Sequence, residues 1–354
     1  MTTPTIIEAW NGPGRRDGEL TPVRPHHNAL HSENRFTAFE HWYFDAHLTS
    51  GHTVIGFLAK RRPEDLPNCR PWVELIVYAP DGTRLQVSKK YPRAQATFSS
   101  EKCDVVIGPN RAYVEFGESG LPIHHVYLAE DGLEFDLTFE NETPSWMPGK
   151  GETHFGAKDS FGWTVGAPRA RVSGSVRIGG ETFDADGRGY ADHNWGVGDM
   201  KRVIERWHWG RLYVDDYSLL YATVLTQKKY GAHEIRPLML ARGNEIILST
   251  GEVEFTEGPA VYDSTANRSY PAWIRIQVPG AVDLRLTVND VIHAHDFIDD
   301  VPVLRTGLLK PLAYRLIGHP GYFRFNSAFE LNVTTDKGEI QRSGTTLHEL
   351  VALR

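Results

Sequence analysis

The segment His124-His-Val-Tyr-Leu128, the dipeptide Asp131-Gly132 and the segment Leu133-Glu-Phe-Asp-Leu-Thr-Phe139 decide the fold class. In the second segment apolar side chains recur at every other position, the period of a half-buried strand. The Asp-Gly dipeptide between the two supplies the positive φ angles of a tight hairpin turn. The same grammar runs outward in both directions. His41 to Leu48, Thr53 to Leu58, Trp72 to Tyr78 and Ala112 to Phe116 precede the hairpin, with Asp81-Gly82 and Gly108-Pro109-Asn110 as turns. Val172 to Ile178, Glu181 to Phe183, Trp207 to Val214, Tyr217 to Leu225, Leu238 to Ala241, Glu245 to Leu248, Trp273 to Val278, Leu284 to Val288 and Ala328 to Thr334 follow it. Helical periodicity is confined to Val303 to Leu316, where Gly307 and Pro311 interrupt it and Pro302 precedes it. The pattern predicts an all-β protein built from antiparallel hairpins.

With 354 residues, 40% hydrophobic and 11% aromatic, the chain is long for one small barrel, which predicts two β units in sequence. An arm over residues 1–35, rich in Pro, Gly, Arg and His, reads as irregular; Asn11 to Arg16 and Pro22 to Pro25 carry that composition. The units are then expected at 36–150 and 159–354. The linker falls near Asn141 to Lys158, where Pro144, Pro148, Gly149 and Gly151 cluster. Trp42-Tyr-Phe-Asp45 and Trp207-His-Trp-Gly-Arg211 each open a strand and hairpin, a short echo that suggests duplication.

A formal net charge of −7 argues against a nucleic-acid partner. No run of apolar residues reaches the length of a membrane span, so no stable membrane insertion is expected. The opening Met1 to Glu8 lacks a basic and then apolar export signal, and the two cysteines, Cys69 and Cys103, form no framework; a cytoplasmic location is expected. Serine-hydrolase elbows, phosphate loops and dinucleotide fingerprints are absent from the sequence, which gives weight to chemistry without a cofactor. His293-Ala-His295-Asp296 places two histidines on one strand face but no third ligand is identifiable from spacing, so no metal is expected. His26-His27 and His124-His125 read the same way.

Three segments could carry chemistry. In Gly187-Arg-Gly-Tyr-Ala-Asp-His-Asn-Trp-Gly196, an extended backbone puts Tyr190, Asp192 and Asn194 on one face and His193 and Trp195 on the other. A carboxyl in an apolar cavity resists ionisation and can serve as a proton donor near neutral pH, so Asp192 is the candidate acid. The alternative is a carboxylate that pins a turn or a junction. In Glu40-His-Trp-Tyr-Phe-Asp45, Glu40, Trp42 and Phe44 share one face and His41, Tyr43 and Asp45 the other; either set could line a cavity. In Arg206-Trp-His-Trp-Gly-Arg-Leu-Tyr213, Trp207 and Trp209 share a face opposite His208, and Tyr217 to Tyr221 follows. Tryptophan faces stabilise a developing carbocation as they do stable cations, although paired tryptophans also pack cores.

These three segments resemble the hydroxyneurosporene synthase-like family, which includes carotenoid 1,2-hydratases and AttH-like proteins, and are similar to the fungal lipocalin-type Diels–Alderases. The Tyr190-Ala-Asp-His-Asn-Trp-Gly196 string carries most of the resemblance, which runs from about Phe36 to the C-terminus. It implies two lipocalin-like, or calycin, antiparallel barrels or half-barrels packed together, a pocket near their interface and no cofactor. It also implies an acid at Asp192 that protonates an alkene, with Tyr190 beside it. After that aspartate the hydratases continue with small and acidic residues. This chain has His193-Asn194-Trp195 there, which is closer to the other two branches.

The expected catalytic residues are therefore Asp192, Tyr190, Asn194 and His208. The expected substrate-binding residues are Glu40, Trp42, Tyr43, Asp45, His193, Trp195, Trp207, Trp209 and Tyr221. The substrate expected is a hydrophobic small molecule, an isoprenoid or polyene that is hydrated, cyclised or isomerised. A pericyclase acting by holding a polyene in shape and a non-catalytic carrier of an apolar metabolite are the alternatives.

Overall fold

In a computed structural model the chain folds almost entirely into antiparallel strands. The structure describes all residues except 1–2, 11–14, 16–17, 32–34, 62–68, 302–303, 305–308 and 336–337. The strands that position the site are β1 (Ala38–Leu48), β2 (Thr53–Arg61), β3 (Asp159–Ile178), β4 (Gly187–Val197), β5 (Ile204–Val214), β6 (Tyr217–Thr226), β7 (Gly321–Thr335) and β8 (Gly338–Ala352). The hairpin with which the sequence reading began is present, with Glu130 opposite Leu133 across the turn.

Two large sheets account for these strands. In the first, β2 and β1 lie beside β4 and β3, and β3 continues into the hairpin of Leu133–Asn141 and Pro122–Glu130. In the second, β6 and β5 lie beside β8 and β7. Each sheet therefore pairs an early strand, β1 or β5, with its last strand, β4 or β8, and the meander runs outward from that pair. The first sheet curls until opposite strands meet. A Cβ at Gly56 of β2 would stand 2.4 Å from the Leu128 side chain of the Pro122–Glu130 strand, so a larger residue there would push that side chain aside. Leu58, Leu75, Leu128 and Phe139 fill that interior, and truncating any of them to alanine should cost about 2–5 kcal/mol. Leu219, Leu240, Ile276 and Leu331 fill the second.

The chain crosses from the first sheet to the second at a short helix, α1 (Met200–Val203), between β4 and β5. The break expected at Asn141 to Lys158 lies inside the first sheet, because β3 and β4 both pair within it. The Pro and Gly residues there shape a connection within the sheet, where Trp146 forms an isolated bridge with Val165 of β3. The arm is partly ordered as strand: Ile6–Ile7 pairs with Glu152–Phe155. The Asn11 to Arg16 stretch lies outside the described residues except for Arg15. The one helical signal is met by α2 (Lys310–Ile317), while Pro302, Val303 and Gly307 lie outside the described residues. The sheets join through a third cluster of apolar side chains, with Trp163, Val165 and Tyr190 from the first packed with Leu220, Ala222 and Met239 from the second.

Candidate active site

Where the sheets meet they leave a cavity of about 370 Å³. Its wall takes His41 and Tyr43 from β1, Phe57 from β2, Phe161 and Trp163 from β3, and Asp192 and Asn194 from β4. The second sheet adds Trp207 and Trp209 from β5, Ala222 and Val224 from β6, and Glu349 from β8; the arm adds Ala9 and Trp10. Strand alternation puts Tyr190, Asp192 and Asn194 on one face, as the sequence predicts, and that face looks toward the second sheet.

Three neutral donors converge on the Asp192 carboxyl. Tyr190 Oη donates to Oδ2 over 2.8 Å, Trp163 Nε1 donates to the same oxygen over 3.0 Å, and Asn194 Nδ2 donates to Oδ1 over 2.8 Å. Burial nonetheless outweighs them and raises the carboxyl to about 7, with the nearby Asp45 charge adding to the rise. Asp192 is thus neutral for much of the time near neutral pH, and Oδ1, with one donor, has room for the proton. The histidine on this wall is shifted the opposite way. Burial, with His193 and Arg61 nearby, lowers His41 to about 4, so its imidazole is neutral and able to accept a proton.

Next to this acid lies an ion pair between the sheets. Arg211 of β5 donates from both terminal nitrogens to Asp45 of β1, over 2.8 Å from Nη1 to Oδ2 and also from Nη2 to Oδ1. Tyr43 Oη donates to the same carboxylate over 2.7 Å. The guanidinium also faces the rings of Tyr190 and Trp209, at 5.0 and 5.4 Å from their centres. Despite its burial Asp45 is held below the usual carboxylate range by Arg211.

Of the residues expected from sequence, Asp192, Asn194, Tyr43, Trp207 and Trp209 line the cavity. Tyr190 stands just behind Asp192, and Asp45 is a clasp between the sheets and not part of the cavity wall. Glu40, Trp42, His193 and Trp195 are corrections. Alternation turns them to the other side of β1 and β4, where His193 Nε2 meets Glu40 Oε1 at 2.9 Å, Trp42 stacks on His193 and Trp195 on His31. His208, opposite Trp207 and Trp209 on β5, pairs with Glu257 at 2.9 Å away from the cavity, so it is not in the site. Tyr221 is buried against Gly210 in the core of the second sheet. His41 lies on the wall with Tyr43, one of the two faces of its strand that could line a cavity, although it was not among the expected site residues. Trp163, Trp10 and Arg211 were missed; Trp163 and Trp10 come from segments with no motif, and only the fold brings them to the cavity.

The donor atoms of His31, Glu40 and His193 lie within 4.8 Å of one another, a set of types that can hold a divalent cation. Here they serve one another, as the His31 backbone N–H donates to Glu40 Oε1 over 2.7 Å. His293 and His295 sit 6.3 Å apart between ring centres and have separate partners, Tyr78 and Asp300. No helix among the described residues is long and apolar enough to cross a membrane.

Two curled antiparallel sheets with an aromatic cavity at their junction define a two-unit lipocalin-like β protein. The AttH-like family model matches residues 23–301, and the chain belongs to that family. Its fold is similar to that of an AttH-type protein from Nitrosomonas europaea, with a TM-score of 0.61 and 13% identity over 96% of this chain and 99% of that one. Kievitone hydratase from Nectria haematococca superposes with a TM-score of 0.55 and 15% identity, over 99% and 98% of the two chains. Among curated proteins, a hydroxyneurosporene dehydrogenase of Chlorobaculum tepidum is 34% identical over 79 residues, 21% of each chain. The ceramide-binding protein svf1 of Emericella nidulans is 23% identical over 223 residues, 59% of this chain and 58% of that protein. The matched segments thus span a fifth to under two thirds of the curated relatives' length.

Proposed function

We propose that this protein is a cofactor-independent enzyme that protonates an alkene of a hydrophobic isoprenoid or polyene, with Asp192 as the acid. The observation that carries the reading is a carboxyl set into an apolar, tryptophan-rich cavity with no cation bonded to it. The alkene π pair takes the Asp192 proton, a C–H bond forms and a carbocation is left on the neighbouring carbon. The carboxylate produced is received by donors already in place on Trp163, Tyr190 and Asn194, so no reorganisation is needed as charge develops. The faces of Trp207 and Trp209 stabilise the cation. Water adding to it forms a C–O bond, and the surplus proton goes to His41 or back to Asp192; transfer of a neighbouring C–H proton to one of the same two groups instead moves the double bond.

A hydratase among the structural neighbours fits this reading. A curated relative named for ceramide binding favours a second one, a carrier of an apolar metabolite. Mass spectrometry of extracts from cells carrying the wild-type gene, Asp192→Asn or no gene separates them. Hydration predicts a precursor lighter by one water in both altered strains, and isomerisation or cyclisation a precursor of equal mass. A normal Asp192→Asn strain beside a defective deletion strain would rule out the acid mechanism and leave the carrier or a pericyclase.

A further inference from the structure

Trp209 and Glu349 stand between the apolar cavity and a second, polar cleft of about 250 Å³. The cleft is lined by two arginines that are both buried but differently supplied. Arg211 is satisfied by Asp45. Arg324 of β7 is 4% exposed and lines the cleft; its Nη1 is turned away from solvent, toward Glu349, in an ion pair that is long at 3.5 Å, so the rest of the guanidinium is the part a ligand in the cleft can meet. Glu349 already accepts from Tyr322 Oη over 2.7 Å, and the guanidinium rests over the Tyr78 ring at 5.1 Å. A buried guanidinium N–H left unpaired is costly, and planar oxygen pairs are what its fork of donors fits. The two histidines on the cleft, His47 and His348, are pushed down by burial to about 3, so they add no charge near neutral pH.

We propose that the cleft is a head-group site: Arg324 receives a carboxylate, or a like planar pair of anionic oxygens, at the polar end of a substrate whose apolar chain lies beyond Trp209. The substrate is then an amphiphile with an acidic end and its reacting alkene beside Asp192. This inference rests on the cavity being the substrate site.

Its test needs no knowledge of the natural substrate. Farnesoic acid, farnesol and farnesene share a chain and differ at the head, and quenching of the cavity tryptophans reports their binding. Wild-type protein at neutral pH should bind the acid about tenfold more tightly than the alcohol, the return on a charge-assisted hydrogen-bond pair. Arg324→Met should abolish that preference and leave the alcohol's affinity within about twofold. Equal affinity for acid and alcohol in the wild type, or a preference that survives Arg324→Met, overturns the head-group site and leaves the proposed alkene chemistry standing. The wild-type comparison decides even if the variant does not fold. Failure of all three probes to bind removes the cavity as a substrate site, and both proposals with it.

Discussion

Asp45 and Asp192 sit on neighbouring strands in mirrored settings. Each accepts a hydrogen bond from a tyrosine two residues away on its own strand, Tyr43 for Asp45 and Tyr190 for Asp192. Each stands opposite the other's tyrosine in the β1–β4 ladder. They differ in one partner. Arg211 reaches Asp45 from the second sheet, whereas Asp192 meets only the neutral donors of Trp163, Tyr190 and Asn194. The first carboxyl is pulled down and the second pushed up to about 7. A guanidinium offsets the loss of hydration around a carboxylate; here three neutral donors do not. One aspartate becomes an inter-sheet clasp and the other keeps its proton up to about pH 7, the state the proposed acid needs.

The sharpest break of this comparison is Asp192→Asn. Turnover should fall by about a hundred- to ten-thousandfold with the unfolding midpoint unchanged or raised, since a buried acid is replaced by its neutral shape. Retained turnover would remove Asp192 as the acid. Asp45→Ala should act on the fold instead, costing about 3–5 kcal/mol in urea unfolding because Arg211 is left buried without its counter-charge. A loss below about 1 kcal/mol would mean that the clasp is relaxed in solution.

The signs of the pH dependence should be opposite. The folded pKa of Asp192 lies above the value near 4 of an unfolded aspartate, so its stabilising contribution is full below about pH 4 and lost as pH rises to about 7. The stability of the wild type measured against Asp192→Asn should decline through that window and be flat above it. Asp45 and Arg211, the charged groups nearest Asp192, keep their charges across the window, so a flat difference throughout would show Asp192 to be an ordinary carboxylate. Asp45, held low, should contribute fully above about pH 4 and lose its contribution only in acid. The smallest effect belongs to Asp216, whose bond to Arg242 at 2.7 Å has both side chains about half exposed. Asp216→Asn should cost less than about 1 kcal/mol, since water screens the pair.

The strand grammar was legible because alternation is a property of a few successive residues. Gly187 to Val197 could be read as extended, and from that alone Tyr190, Asp192 and Asn194 had to share a face. The reading failed where the question was which face meets which neighbour. Glu40, Trp42, His193 and Trp195 carry the same chemical types as true wall residues and sit one position away from them, on the side that packs against the first core. The unit boundary failed for a related reason: turn residues cluster at Pro144 to Gly151 inside a sheet as readily as between sheets.

The sequence by itself determined the all-β class, the period of its strands, the shared face of the acid with Tyr190 and Asn194, and the pairing of Trp207 with Trp209. Each follows from local backbone geometry. Only the tertiary structure decided that Asp192 and not Asp45 is the free acid, because the cation that separates them lies 166 residues from Asp45 along the chain. It alone supplied Trp163 and Trp10 to the wall and left Arg324 in the neighbouring cleft with a long ion pair and an Nη1 that makes no hydrogen bond. Charge and burial at a side chain depend on what folding brings from afar, which spacing along a strand does not encode.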